Sequence, residues 1–458
     1  MSLLDRSDPT RPRPLLPRAG TWERWRSNEQ LGAVCRRVMF GVLSRMRSDH
    51  LSIVDETADG EPRIYLLGEA TTSRSAVAGD SEDRQHSRSD ALSATATITD
   101  IRAWTAMATE GSIGLGRGYF EGWWDSDDPT TVLRIVIRNL ESLDELRNRL
   151  NRVSGGITDP IRRRIPRSGK RRDREDIAAH YDLGNEFFEL ILDESMTYSS
   201  GVYRTPATSL AEASALKNRR LLEKLAVEPE HHILEIGTGW GGFAIQAAGE
   251  VGCRVTTTTV SAEQRREAAT RVARAGLADQ VTILDNDWRD LGGLHDRVVS
   301  IEMIEAVDWR DYERYFATVE DCLKPDGLVG IQAICVADRR FGRTKNTEDF
   351  IRRFVFPGGF LPSIGAINKA VSAATRLQII DLEDLSRHYA ETLRRWRENL
   401  HTRLADVQDL GLDERFCRLW EFYLAYCESA FVERHVSVFQ IVLAGRDWRP
   451  AELGVRPV

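Results

Sequence analysis

In HHILEIGTGWGGFAIQAAGE, residues 231–250, an apolar run stops at four glycines and resumes as a helical pattern. A strand that passes through a glycine-rich turn into a helix is the seed of a parallel α/β sheet, because the helix must return over the sheet before the next strand can pair. The alternation recurs downstream. CRVTTTTVSAEQRREAATRVARAG reads as strand, turn and helix, VTILDNDWRDL and DRVVSIEMIEAV each add a strand and a loop, and YFATVEDCLKPDGLVGIQAICV reads as helix, Pro-Asp-Gly turn and strand. The segment from residue 176 to 458 is therefore predicted to be a mostly parallel sheet covered on both faces, with its ligand crevice at the carboxyl ends of the strands.

Upstream the pattern changes. Residues 1–20 are rich in Pro and Arg and read as a disordered terminus without the apolar region of a secretory signal. From Trp22 to Arg47, residues Trp22, Trp25, Val34, Val38, Val42 and Met46 recur at helical intervals between arginines. That is an amphipathic helix, read first as core packing and second as docking on a membrane surface. LSIVDETADGEPRIYLLGE predicts two strands about a turn, and residues 71–97 predict a loop. IRAWTAMATEGSIGLGRGYFEGWWDSDDPTTVLRIVIRNL reads as helix, glycine-rich turn, an aromatic cluster in which Trp123 and Trp124 are core, and helix. RRRIPRSGKRRDR, residues 162–174, is a basic linker or a patch for anionic headgroups. The expected organisation is an N-terminal domain over 21–160, a linker over 161–175 and a catalytic domain over 176–458.

With 458 residues, 41% hydrophobic and 29% charged, the chain has the composition of an ordinary globular protein of two or three domains. A net charge of −7 argues against a dedicated nucleic-acid binder. Six cysteines without ligand spacing read as reduced core residues of a cytoplasmic protein, and no cluster suggests a metal. No run approaches the roughly 18 apolar residues of a spanning helix, so any membrane contact is expected to be peripheral.

LEIGTGWGG, residues 234–242, has the Glu-x-Gly-x-Gly form that points to S-adenosylmethionine, with Glu235 supporting the loop or meeting the amino-acid end of the cofactor. At the end of the second strand, where a ribose-binding acid is usual, RVTTTTVSAEQ offers Thr259 and Gln264.

These motifs together resemble the cyclopropane-fatty-acyl-phospholipid synthases, which transfer a methyl group from S-adenosylmethionine to the double bond of a membrane lipid acyl chain. The similar segments are EGSIGLGRGYFEGWWDSDD, AAHYDLGNEFFELILDESMTYSSGVY, LEIGTGWGGFA, TVSAEQ, VSIEMIEAVDWRDYERYF, FIRRFVFPGGFLPS and LSRHYAETLRRWREN, with EFYLAYCESAF and FQIVLAG extending the likeness. HYDLGN together with FPGGFLPS is the most specific part. The resemblance implies a class I, Rossmann-like methyltransferase domain preceded by a smaller α+β domain. It also implies a cofactor pocket lined by Tyr198, Ser199, Gly237, Gly239, Thr259, Val260, Gln264 and Trp288, and an acyl-binding insertion at about 336–390 that includes FVFPGGFLPS. The N-terminal domain is implied to engage an unsaturated phospholipid membrane at its inner face and to pack within a homodimer.

In that family a bicarbonate ion acts as base, held by a Cys backbone, Glu, His and Tyr. Glu305 and Tyr389 match two of these positions, whereas Ser200 stands for the Cys and Gln332 for the His. Glu302 occupies a position that is Gly in the best-known bacterial members, although a branch of the family resembles the EMIEAV form. Bicarbonate is therefore in question as a cofactor. Methylation of an alkene leaves a carbocation, and one group must take a proton. Loss from the transferred methyl closes a cyclopropane, the leading expectation; loss from a neighbouring chain carbon gives a methylene branch instead, and a methyl-branched chain or methylation of a polyunsaturated chain belongs to the same alternative. Glu305 is the first catalytic candidate, with a helix cap as the alternative. Glu302 is either a second catalytic carboxylate or the salt-bridge partner of an arginine, Tyr389 an anion holder or a core residue, and Gln332 a donor in the pocket. His180 reads as base or lid, and His231–His232 as surface. A non-catalytic lipid-binding paralogue is the reading from a different class.

Overall fold

The computed structural model describes residues 29–44, 46, 49–57, 61–68, 91–140 and 184–450. The predicted disordered terminus, Trp22, Trp25, the basic linker and His180 lie outside them.

The larger sheet has seven strands in the order β7-β6-β5-β8-β9-β11-β10. In chain order these are β5 (His232–Ile236), β6 (Arg254–Thr258), β7 (Val281–Leu284), β8 (His295–Ile301), β9 (Leu323–Val336), β10 (Gln378–Asp384) and β11 (Val436–Ala444). β5 to β9 run parallel, and β11 is antiparallel to both β9 and β10. The chain leaves β5 on one side for β6 and β7 and returns on the other for β8, so the connections diverge between β5 and β8 and open a crevice there. Ile301 is in register with Gln332, and Gln332 with Gln440, which lays two glutamines beside the end of β8. The Pro-Asp-Gly segment is not a turn before the strand. It lies inside β9, where the register jumps from His295/Leu323 to Arg297/Leu328, so the extra residues form a bulge.

The N-terminal unit is a four-stranded sheet ordered β2-β1-β3-β4, with β1 at His50–Asp55, β2 at Arg63–Leu67, β3 at Ser93–Ile98 and β4 at Trp124–Asp125. Helices α1 (Glu29–Leu43), α2 (Arg102–Glu110), α3 (Ser112–Phe120) and α4 (Pro129–Arg138) accompany it. The end of the predicted 71–97 loop is in fact β3, parallel to β1 over six residue pairs. Its Ser/Ala/Thr composition hid a strand that buries only Ala96 and Ile98. The predicted glycine-rich turn is likewise helix α3. Its glycines serve close packing: a Cβ on Gly114 would lie 1.9 Å from the Ala106 carbonyl oxygen, and one on Gly116 would lie 2.2 Å from the Phe350 ring.

Phe350 belongs to the larger unit, and one apolar core runs through both. Tyr119 and Trp124 pack on Phe422 at ring separations of 5.6 and 6.3 Å, and Phe120 meets Phe354 edge-on at 5.1 Å. Phe422 sits on the helix Glu414–Val432. Arg134 and Arg138 both pair with Glu433 at 2.7 Å, just beyond that helix, and Arg418 donates to the Trp124 carbonyl at 3.3 Å. Trp123 and Trp124 are 7% and 1% exposed, which places both in the core.

Of the expected insertion at 336–390, residues 337–377 lie between β9 and β10 and carry the helices Asp338–Thr344, Phe350–Phe354 and Ile364–Ala374. The remainder is β10 itself and the start of the helix Ser386–Thr402. All six cysteines are free, Cys427 half-buried and the rest buried. Among the described residues, no helix is long and apolar enough to cross a membrane, and no group of His, Cys, Asp and Glu could hold a metal.

Candidate active site

Two cavities meet at the carboxyl end of β8. The smaller, about 200 Å³, lies over the β5 turn and is lined by every residue predicted for the cofactor: Tyr198, Ser199, Glu235, Gly237, Gly239, Thr259, Val260, Gln264 and Trp288. The turn takes this course because Gly237, Gly239 and Gly241 have φ of +109°, +52° and +88°, backbone that side chains resist. Thr259 donates to the Gln264 side-chain carbonyl at 3.0 Å, so the two candidates for the ribose position form one polar unit. Trp288 is held edge-on by Tyr315 at 5.3 Å.

Polar atoms in this cavity lack protein partners. Glu235 Oε2 and Ser199 Oγ are buried and unbonded. Burial pushes the Glu235 carboxyl up to about 8, with Lys217 and a hydrogen bond from Thr257 opposing the shift. A cationic amino-acid group satisfies such acceptors, so the donor set fits S-adenosylmethionine.

The larger cavity, about 1090 Å³, begins at Tyr198, Glu302 and Ala306, which line both cavities, and continues past Glu305, Tyr389 and the Phe356–Leu361 loop. Gly358 has φ +78°, and the Phe360 amide donates to the Glu305 carbonyl at 2.7 Å, so this loop is anchored on the acid-bearing segment.

The two carboxylates differ sharply. Glu302 receives the Ser200 backbone N–H at 3.1 Å and the Gln332 amide at 2.7 Å on Oε1, and the Tyr389 hydroxyl at 2.6 Å on Oε2. Among the described residues it has no arginine partner. The Gln332 amide is oriented by Gln440, whose Nε2 donates to Gln332 Oε1 at 3.1 Å and to the Lys217 carbonyl at 3.3 Å. Burial raises the Glu302 carboxyl, while Tyr389, the Ser200 amide, Gln332 and the Lys217 charge all pull it down. Its backbone has φ +49°, a conformation that costs a non-glycine residue about 1–3 kcal/mol and is kept where the surroundings hold it.

Glu305 lies in the short 3₁₀ turn Ile304–Ala306 and does not cap a helix. Its Oε1 receives the Ile334 amide at 2.5 Å, and its buried Oε2 has no partner. Burial and the nearby Glu302 charge push its carboxyl up to about 8. Their donors set the two acids apart: Tyr389, Ser200 and Gln332 oppose the effect of burial on Glu302, whereas on Glu305 burial and the Glu302 charge act together against the Ile334 amide.

Sequence reasoning missed Lys217 and Gln440. Lys217, on the helix Leu210–Lys224, is 1% exposed and lines the cofactor cavity beside Glu235 and Glu302. Burial draws its ammonium down to about 8, against the charges of Glu302, Glu235 and Asp193. Its signal was present: it stands four residues from both Ala213 and Leu221, on the buried stripe of the helix. Gln440, within the apolar strand VSVFQIVLA, had the same kind of signal. The His231–His232 pair lies at the opposite end of β5, where His232 bonds Thr256 at 2.8 Å.

Residues 168–441, more than half of the chain, match the family described as mycolic acid cyclopropane synthetase. The chain belongs to this family. It is 43% identical over 344 residues, 74% of this chain and 80% of the relative, to the tuberculostearic acid methyltransferase UfaA1 of Mycobacterium tuberculosis. It is 34% identical over 355 residues, 76% of this chain and 86% of the relative, to the cyclopropane-fatty-acyl-phospholipid synthase of Escherichia coli K12. Among solved structures, the mycolic acid cyclopropane synthase CmaA1 complexed with SAH and CTAB aligns with TM-score 0.56 at 28% identity, covering 59% of this chain and 98% of that one. Coclaurine N-methyltransferase bound to SAH, at TM-score 0.52 and 18% identity, shares the fold. The seven-stranded sheet is thus a class I methyltransferase fold, the cofactor is S-adenosylmethionine, and the protein is a lipid methyltransferase of the mycolic acid cyclopropane synthetase family.

Proposed function

We propose that this enzyme methylates the double bond of an unsaturated phospholipid acyl chain, with Glu302 as a built-in base in the place of bicarbonate. The observation that carries the reading is the seat of Glu302. Ser200, Gln332 and Tyr389 stand at three of the positions that the resemblance assigns to the bicarbonate ion, and all three donate to the Glu302 carboxylate.

The cofactor supplies an electrophilic methyl group. Glu235, Ser199 and the glycine turn hold its amino-acid portion, and Thr259, Gln264 and Trp288 hold its nucleoside. Tyr198, Phe356, Tyr389 and Tyr423 present aromatic rings to the larger cavity, with Tyr198 bonded to Tyr423 at 2.9 Å and backed by Trp396 at 5.1 Å. π-Faces and a carboxylate both stabilise the cation that forms on the acyl chain, and the apolar walls keep water away from it. Glu302 Oε2 retains a lone pair beyond its bond from Tyr389 and takes the proton. Glu305, neutral, adds no second charge beside the Glu302 carboxylate and lines the acyl side.

The product we favour is a methylene branch. A hydride shift places the cation on the methyl-bearing carbon, and proton loss from that methyl leaves a C=CH₂ group. The support is the 43% identity to a protein named for tuberculostearic acid, a methyl-branched acid. Ring closure is the second reading, favoured by the 34% identity to the E. coli cyclopropane synthase. Exposed Leu31, Val34 and Val38 on α1 flank the larger cavity together with Arg339 and Arg343, which supports peripheral docking on an anionic membrane. Homodimerisation and a place at the inner membrane face remain part of this proposal.

Purified protein with labelled S-adenosylmethionine and oleoyl phospholipid vesicles tests it. Label should enter the acyl chain without added bicarbonate, and mass spectrometry with ozonolysis separates the methylene product from the saturated ring. Glu302→Gly, which vacates the seat, should lose activity and regain part of it with bicarbonate. Wild-type activity that depends on bicarbonate sinks the built-in base.

A further inference from the structure

The larger cavity does not end in the methyltransferase domain. Beyond Glu302, Glu305 and Tyr389 it continues between β1, β3, α2 and α4, where Ile53, Ala96, Trp104 and Leu133 line it. These four are 3%, 5%, 0% and 0% exposed, and their side chains are apolar but for the unpartnered indole N–H of Trp104. The family match begins at residue 168, so this part of the wall comes from outside the segment that defines the family. At about 1090 Å³ the cavity exceeds the roughly 300–1,000 Å³ that encloses a drug-sized ligand. The N-terminal unit is held on the larger one by the Arg134 and Arg138 pairs with Glu433 and by the aromatic contacts of Phe422, so its wall keeps its position relative to the acids.

We propose that the N-terminal unit forms the far end of the acyl-binding cavity and selects the reacting chain by the length of hydrocarbon beyond its double bond. The proposal rests on the acyl-methylation reading above. An end lined mainly by apolar side chains takes saturated hydrocarbon, and the same cavity is lined by the carboxylates Glu302 and Glu305. Of the polar lining residues, Arg339, Arg343 and Glu348 belong to the segment between β9 and β10, and Thr109, Glu110 and Ser112 lie at the end of α2 and the start of α3.

Ala96→Phe places a ring in the cavity end, and the test compares it with wild type on oleoyl and myristoleoyl phospholipids, whose double bonds stand at the same distance from the ester. The oleoyl rate should fall at least about tenfold relative to the myristoleoyl rate, since hydrocarbon fit discriminates by roughly 10–200-fold per methylene. The myristoleoyl rate, cofactor affinity and unfolding midpoint should stay near wild type. Equal loss on both lipids, or no loss on either, overturns the assignment. Ile53→Ala, which enlarges the same end, should shift preference toward chains longer than oleoyl, and an unchanged preference counts against the proposal. On a mono-acyl oleoyl lipid the Ala96→Phe defect should persist; its disappearance would show that a second acyl chain fills the space and overturn the choice of the reacting one. Failure of the wild type to methylate any of these lipids would instead refute the function itself.

Discussion

The cofactor cavity takes most of its walls from the ends of four successive strands, β5 to β8, and from the loops that follow them, whereas the acyl cavity draws on α1, β1, β3, α2, the 337–377 segment and the helix Glu414–Val432. In the first, each wall residue has a stereochemical reason to be what it is: glycine at positive φ, a hydroxyl or amide at a hydrogen-bonding site. In the second, only volume and apolarity are specified, and many sequences supply them. The contrast predicts that small changes on the polar side alter chemistry, and that changes on the apolar side alter selection among chains while leaving the chemistry intact. The Ala96→Phe comparison addresses the apolar arm, and its expected signature is confined to chain length.

On the polar side the largest effect belongs to Glu302→Gln. It keeps the shape of the seat and removes the base, and methyl incorporation should fall by about 10²–10⁴-fold with cofactor binding retained, measured by label transfer and calorimetry. Lys217→Met should have a smaller effect, on the order of tenfold near neutral pH. Loss of the buried cation raises the Glu302 proton affinity, so the acid limb of the pH–rate profile should move to higher pH. An unmoved limb would detach Lys217 from the pair and leave it a packing residue.

The smallest effect is on stability. The Glu305 carboxyl is raised from 4.5 in a free side chain to about 8 in the fold, so the native state holds a proton that the unfolded chain releases in between. Its contribution is present in full below about 4.5 and is lost as pH rises through about 8. Glu305→Gln should therefore flatten the fall in unfolding midpoint over that window by an amount on the order of 1–4 °C. Glu235, shifted the same way, keeps part of the slope.

Much of the cofactor side was legible in the sequence. The strand–turn–helix alternation requires the doubly wound sheet, and all nine expected cofactor residues line one cavity: Glu235 to Trp288 lie in or after strands whose ends converge, and Tyr198 and Ser199 come from the segment before Leu210–Lys224. The N-terminal unit was read less well. β3 reads as loop in the sequence because Ser, Ala and Thr are small and half-polar, and α3 as a turn because glycine in a helix goes against propensity unless a neighbour demands the space. Only the approach of Phe350 and Ala106 explains those glycines.

IEMIEAV shows the same division within seven residues. The sequence alone established that two acids stand three apart at the end of a buried strand, where carboxylates need partners. Which acid gathers donors followed from contacts with residues far along the chain. Ser200, Gln332 and Tyr389 lie 102, 30 and 87 positions from Glu302, and they converge on it only after β8 pairs with β9 and the helix Ser386–Thr402 crosses above. Local sequence sets backbone geometry and period, because these act over a few residues. Proton affinity depends on every dipole and charge within several ångströms, and those neighbours are assembled by the tertiary fold.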